Sequence, residues 1–227
     1  MSALPQRLVA IPLMWALFPI VVSTGFAGAA KSAAWSDTCA SSKVAGLDTS
    51  YIDTYSDIYL QGEASGETFF APYTEIVSIT LWRPVFQQNN GAVWRIFIMG
   101  VDSLGVPDVN SIIQDGPTLS IPYGDGVHPT PFKFVFAPPV QLPSVGEYEL
   151  AVQGDQCAGV FDIAGDSHDD YPGGIYWFHR REDLCEYRPR SHPSAFADED
   201  MVFQIEFCVP ETPVRRSTWG SIKALYR

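Results

Sequence analysis

The sequence predicts an all-β fold, a two-sheet antiparallel sandwich of jelly-roll type with about ten short strands and little helix. Three observations predict it. Apolar and polar residues alternate with a period of two in several runs, turn residues punctuate those runs, and helical periodicity is nearly absent. Phe132, Phe134 and Phe136 alternate with Lys133 and Val135. Tyr148, Leu150 and Val152 alternate with Glu147, Glu149 and Ala151, and Met201, Phe203, Ile205 and Phe207 with Val202, Gln204 and Glu206. Each pattern has one greasy face and one wetter face, as in a sheet packed on one side. The 18 prolines and 18 glycines fall mostly between such runs, which marks rigid turns rather than a disordered composition.

In chain order, residues 1–30 have the three parts of a cleavable secretion signal. Arg7 supplies the positive start, Leu8 to Val22 is an uncharged apolar run, and Ala27-Gly28-Ala29 fits a small-x-small cleavage site. The apolar run is shorter than the roughly 20 residues a membrane-spanning helix needs. No later stretch is long and apolar enough to span. Residues 31–56 read as a lead-in and residues 57–208 as the sandwich. Asp57–Gln61 and Glu67–Ala71 look like short strands. Glu75–Arg83 and Val93–Val101 are apolar on both faces and suit central strands, with Trp82 and Trp94 as core residues. Gly165 to Asp200 is polar and charged, a large ordered loop region around one strand at Ile175–His179. Residues 209–227 are a linker and a basic tail.

The stretch 31–209 carries 9 Lys and Arg against 25 Asp and Glu, a net of 9 − 25 = −16. Such a body repels nucleic acid and anionic membrane surfaces. Cys39, Cys157, Cys185 and Cys208 all follow the signal, and an even count in an exported chain implies two disulfides. Three pairings are possible. The expected one joins Cys39 to Cys208, closing the two ends of the domain, and Cys157 to Cys185, pinning a long loop. Without a C-x-x-C pair, a zinc site on these cysteines is disfavoured.

A family resemblance adds to this reading. Gly66-Glu67-Thr68-Phe69-Phe70-Ala71-Pro72, followed by Ile76-Val77-Ser78-Ile79-Thr80-Leu81-Trp82, resembles the opening of many bacterial exported β-sandwich modules, jelly-roll and carbohydrate-binding-like, which read QTFTAP, a short gap and L-x-S-I-x-F. Phe134-Val135-Phe136, Leu142 to Gly146 and Tyr148 to Val152 are similar to later landmarks of these modules. Tyr171-Pro172-Gly173-Gly174 resembles their Y-x-G-G step, and Asp200-Met201-Val202-Phe203 their closing D-L-A-F strand. The chain departs from the pattern at Glu67, where Gln is usual, and Phe70, where Thr is usual. The resemblance covers most of 57–208 and rests on core and turn positions, so it implies fold more than activity. The ending Thr218-Trp219-Gly220 with Lys223 resembles short tails on exported bacterial proteins and implies sorting or retention at the cell surface.

For chemistry, the chain has neither a G-x-S-x-G elbow nor an H-E-x-x-H motif. Its many acids do not single out a glycosidase pair. A non-catalytic module is expected, with a secreted hydrolase of unfamiliar type or a purely structural surface protein as alternatives. Asp166-Ser167-His168-Asp169-Asp170 and Asp198-Glu199-Asp200 concentrate hard oxygen donors in loops. Asp166, Asp169, Asp170, Asp198 and Asp200 are therefore the candidate ligands for calcium, and His168, His179 and His192, at irregular spacings, are a lesser candidate set for a transition metal. Sugar sites combine flat aromatic faces with a few polar groups. Tyr171, Tyr176, Trp177, His179 and Arg181 offer that mixture, and Tyr123 and His128 lie in a Gly- and Pro-rich loop that can border them. The expectation is a secreted or surface-retained module that binds a glycan or another extracellular ligand.

Overall fold

The computed structural model describes residues 39–59, 63–85, 92–121, 123–154, 160–179, 189 and 193–210. The expected secretion signal, the Cys157–Cys185 pair, Arg181 and the tail beyond Pro210 lie outside these residues. Among the described residues thirteen strands follow one another: β1 (Cys39–Gly46), β2 (Thr54–Tyr59), β3 (Ala64–Ala71), β4 (Glu75–Arg83), β5 (Ala92–Val101), β6 (Pro107–Ile121), β7 (Thr130–Gln141), β8 (Gly146–Gly154), β9 (Val160–Asp166), β10 (Tyr176–His179), β11 (Ser194–Phe196), β12 (Asp200–Met201) and β13 (Phe203–Pro210). A single 3-10 turn at Thr49–Tyr51 is the only helical element among the described residues. No helix there is long and apolar enough to cross a membrane.

Every strand pair is antiparallel. One sheet runs β1-β13-β4-β7, a second runs β11-β10-β3-β8-β5-β6, and a small third runs β12-β9-β2. Set aside β2 and β9 to β12, and eight strands remain. The first, eighth, third and sixth of these form one sheet, and the second, seventh, fourth and fifth form the other. That ordering is the jelly roll, in which long connections carry the chain back and forth between two facing sheets. The strands β10 and β11 extend the larger sheet beyond β3.

The predicted alternations set the core. Phe132, Phe134 and Phe136 are buried while Lys133 and Val135 are exposed. From the facing strands come Phe69, Trp94, Ile96, Leu150, Phe203 and Ile205, all in the same cluster. The strands β4 and β5, apolar on both faces, are central in their sheets, as such strands must be to hide both sides. Trp94 is fully buried and stands edge-on to Phe132 at 4.5 Å. Trp82 belongs to a smaller cluster with Leu47, Ala164 and Val202, beneath the three-stranded sheet.

Two features go beyond the sequence reading. First, β1 lies within the lead-in. Its polar run Ser41-Ser42-Lys43 hides a strand that forms because β13 offers a free edge, with Ser42 opposite Cys208. Second, much of the outer face of the larger sheet is itself buried, although Phe70 and Glu147 on it are exposed. Phe97, Met99 and Ala151 are inaccessible there, packed by Val109 and Ile112. The wetter face read on β8 is wet only at Glu147: Glu149, Ala151 and Gln153 are buried.

Cys39 and Cys208 are bonded, with Cα atoms 5.2 Å apart and 169 positions between them in sequence. The bond fastens the edge strand β1 to β13 and closes almost the whole domain into one loop. Chain-entropy reasoning gives such closures about 5 kcal/mol, and measured losses run at about 2–5 kcal/mol. Cys39→Ser is expected to destabilise the fold by about that amount in urea denaturation. A change under about 0.5 kcal/mol would show that the ladder alone holds β1.

Candidate functional site

The third sheet, the loop from β9 to β10 and one end of β3 meet around a set of carboxylates. Glu67 shares the face of Phe69 and Ala71 on β3, so alternation carries an acid into the space between the sheets. It is fully buried. Its Oε2 accepts the Met201 N–H of β12 at 3.0 Å, and its Oε1 has no hydrogen-bond partner among the described residues. Gly174 permits this placement. A Cβ there would stand 2.5 Å from Glu67 Oε1, so a side chain would force the acid or the loop to move.

Asp200, on β12, is nearly buried and organises the loop. Its Oδ2 accepts the Tyr171 N–H at 2.7 Å, and the Asp170 N–H also donates to its carboxylate. Thr68 holds the other side of the loop, accepting the Ile175 N–H at 2.8 Å. Asp166 closes β9, opposite Asp200 in the ladder. It is nearly buried, its Oδ1 accepts the His168 N–H at 3.0 Å, and its Oδ2 has no partner among the described residues. Asp53 reaches in from the segment before β2. Ser167 donates its N–H to Asp53 Oδ1 and its hydroxyl to Oδ2, both at 2.7 Å. Asp53, Asp166 and His168 together bring three donor atoms within 4.8 Å of one another.

The electrostatics follow from this crowding. Burial raises the carboxyl pKa values of Glu67, Asp166 and Asp200, and each also feels neighbouring carboxylates. Asp200 and Asp169 press on Glu67, Asp170 and Asp53 on Asp166, and Asp169 and Asp166 on Asp200. Asp53 shifts the other way, because its Ser167 hydrogen bonds favour the anion. Among the described residues, no lysine or arginine pairs with Glu67, Asp166 or Asp200.

Of the metal ligands expected from sequence, Asp166, Asp169, Asp170 and Asp200 gather at this end, while Asp198 is exposed on the turn before β12. Asp53 and Glu67 join them without having been expected, and so does His168, which the sequence offers to a metal only together with His179 and His192. A signal for Glu67 was present, since it falls on the apolar parity of its strand. Asp53 is an isolated acid in a lead-in, and only the pairing of β2 with β9 brings it here.

The expected aromatic platform is not exposed. Tyr176 faces the core and donates its hydroxyl to Ser65 Oγ at 2.7 Å. Trp177 and His179, on the opposite face of β10, are buried too, because that face is covered. His179 Nε2 meets Glu149 Oε1 at 2.7 Å, with both side chains sealed from solvent. Gly66 leaves room for this pair, since a Cβ there would collide with Glu149 Oε1 and lie 2.7 Å from the Leu150 carbonyl. Tyr171 is half-buried, its ring edge-on to Phe203 at 5.0 Å. Tyr123 and His128 are exposed in the loop between β6 and β7, where Asp125 accepts the Val127 and His128 N–H groups and meets His128 Nδ1 at 2.8 Å.

No protein-family model matches the chain, and no curated protein does. Among solved structures, the chain is similar to the cysteine protease and lectin-like domains of Cwp84, a surface layer associated protein of Clostridium difficile, at 13% identity and a TM-score of 0.46. The match covers 68% of this chain and 36% of that one.

The buried acids make a pH prediction. A carboxyl whose pKa is raised by folding keeps a proton that the unfolded chain releases. Its contribution is full below the unfolded value and is lost as pH rises through the folded value. Glu67, Asp166 and Asp200 are of this kind, with ordinary values of 4.5, 3.8 and 3.8. Asp53 and Glu206, held low, act only in the acid range below their ordinary values of 3.8 and 4.5. With EDTA present, the melting temperature is expected to fall between about pH 5 and about pH 8. Glu67→Gln should raise it at the upper end by a few degrees, since about 1 kcal/mol moves a domain of this size by about 2–4 °C. A variant that melts lower than the parent at both ends would contradict a cost of burying this charge.

Proposed function

We propose that the chain is an exported, non-catalytic jelly-roll module that works outside the cytoplasm, is retained at or released from the cell surface, and binds calcium at its acidic end while presenting neighbouring loops to an extracellular glycan. The observation that carries the calcium part is a run of buried carboxylates that press on one another, Asp200 on Glu67 and Asp166 on Asp200. All three are buried, two have an oxygen without a hydrogen-bond partner among the described residues, and no lysine or arginine there pairs with them. Buried carboxylates in this arrangement are costly as anions and are relieved by a proton or a cation. Calcium takes six to eight oxygens in a flexible geometry, which suits acids arriving from β3, β9, β12 and one loop.

The Cys39–Cys208 bond supports an oxidising compartment. The sealing of Glu149 and His179 supports a non-catalytic reading, because no substrate reaches that acid–imidazole pair. The glycan part rests on the exposed loop that carries Tyr123 and His128 beside Asp125. It does not rest on Tyr176, Trp177 and His179, which are structural in this fold.

Calcium is expected to raise the melting temperature of the EDTA-stripped protein by several degrees at about pH 8, and by less at about pH 5, where protons already neutralise the site. A melting temperature indifferent to calcium and EDTA at both values would end the calcium reading. A glycan array probed in calcium and in EDTA tests the ligand. Tyr123→Ala should weaken any glycan signal without moving the melting temperature, and no glycan bound in either condition would leave a module without carbohydrate binding.

A further inference from the structure

The side of the sandwich between β6 and β7 carries a groove that the cation and glycan readings do not use. The strand β6 is the last of the larger sheet and β7 the last of the smaller one, so each has an open edge among the described residues. A groove of about 500 Å³ lies between them. Buried Phe136 and Val140 and half-buried Ile113 line it, together with the rings of Pro117, Pro138 and Pro139. A free edge ordinarily invites a further strand, because its N–H and C=O groups are unpaired. Proline has no N–H, so these three take donors away from both edges. The groove presents apolar ring surface instead, which suits an aromatic or aliphatic side chain better than a backbone ladder.

Charge and position point to one occupant. Gln114, Asp115 and Gln141 supply the polar rim, and no described lysine or arginine lines the groove. Asp115 is paired with Arg95. Glu75 accepts the Gln141 side-chain N–H at 2.9 Å and has no lysine or arginine partner among the described residues. The chain's own ending carries the matching charge. Residues 217–227 hold Lys223 and Arg227 and no acid, along with Trp219, Ile222, Leu225 and Tyr226. Its point of departure fits too. The strands β13 and β7 flank β4 and run in the same direction, with Phe207 and Val140 both opposite Ile76. Pro210 therefore ends β13 at the end of the sheet where Gln141 lies. Two strand spacings, about 10 Å, separate β13 from β7. Residues 211–216 can span about 20 Å when extended.

We propose that residues 217–227 dock in cis in the groove between β6 and β7, with Trp219 against its proline-lined surface and the cations of Lys223 and Arg227 toward Glu75. This stands apart from the cation and glycan readings and does not need either. A tail held in this way is withheld from any machinery outside the chain that reads it. Tethering lets a modest affinity suffice. A short linker gives an effective concentration of about 1 mM, so a groove that binds the free segment with a Kd of about 0.1 mM is about nine-tenths filled.

The test treats the purified, disulfide-bonded chain, tail included, with an endoproteinase that cuts only after lysine, and follows the Lys223–Ala224 bond by mass spectrometry. Cleavage there is expected to be about tenfold slower than in a synthetic peptide of residues 217–227. Trp219→Ala should restore the rate of its matching peptide. Gln141→Arg and Val135→Arg, which bring a cation to the groove, should restore the parent peptide's rate. Both positions are exposed, so both variants are expected to fold and to keep the parent's melting temperature. The protection should be the same at every protein concentration, as an intramolecular contact requires. Parent cleavage at the peptide's rate overturns the proposal. Protection that survives Trp219→Ala, or that survives both groove variants, overturns it by placing the tail elsewhere. Protection lost on dilution overturns it in favour of a second copy of the chain as the occupant.

Discussion

The hydrogen bond from the Met201 N–H to Glu67 joins the larger sheet to the small third sheet, and the acidic end depends on it. It draws a carboxylate into the space between sheets, where only one of its oxygens finds a partner among the described residues. It also fixes β12, so that Asp200 stands where it can accept backbone N–H groups from the loop between β9 and β10. That loop in turn sets Ser167 and His168 over Asp53 and Asp166. The order of cause runs from one strand-borne acid to a folded loop to a cluster of donors. Nature places such groups inside proteins with compensation, because a buried anion without a counter-charge is far less stable than one in water.

The larger sheet explains why acids and imidazoles lie so deep. A sandwich sheet commonly keeps one face in water, and then a carboxylate on that face costs little. Here the outer face is covered around Phe97, Met99 and Ala151. Glu149 and His179 are consequently paired with each other rather than with solvent. Gly66 is the steric condition for that pair, as Gly174 is for Glu67. Gly66 of β3 and Gly174 of the loop before β10 thus make room for two buried acids, one on each face of the sheet.

Much of the sandwich was legible in the sequence because period-two alternation and turn residues are local properties. The strand β4 was read at its observed bounds, Glu75–Arg83, and the phenylalanines of β7 point inward as their spacing requires. The strands β1, β6 and β9 were not legible, since their residues show little alternation and their partners are distant in sequence. The candidate site was half legible. A run such as Asp166-Ser167-His168-Asp169-Asp170 announces itself, whereas Asp53 joins it across 113 positions, counted from Asp53 to Asp166. The aromatic segment of β10 misled, because alternation separates two faces without saying which one water reaches.

The sequence by itself determined the class of fold, the strong negative charge and the candidates for disulfide and cation chemistry, since each follows from composition or short-range spacing. It also narrowed the pairing of Cys39 with Cys208, whose places near the two ends of the domain suit a closing bond. Only the tertiary structure decided which polar residues are buried, because burial is set by what covers a sheet from far along the chain. The same reason turned Tyr176, Trp177 and His179 into packing residues. It gathered Asp53, Asp166 and His168, from two strands' ends and a loop, into one set of donors.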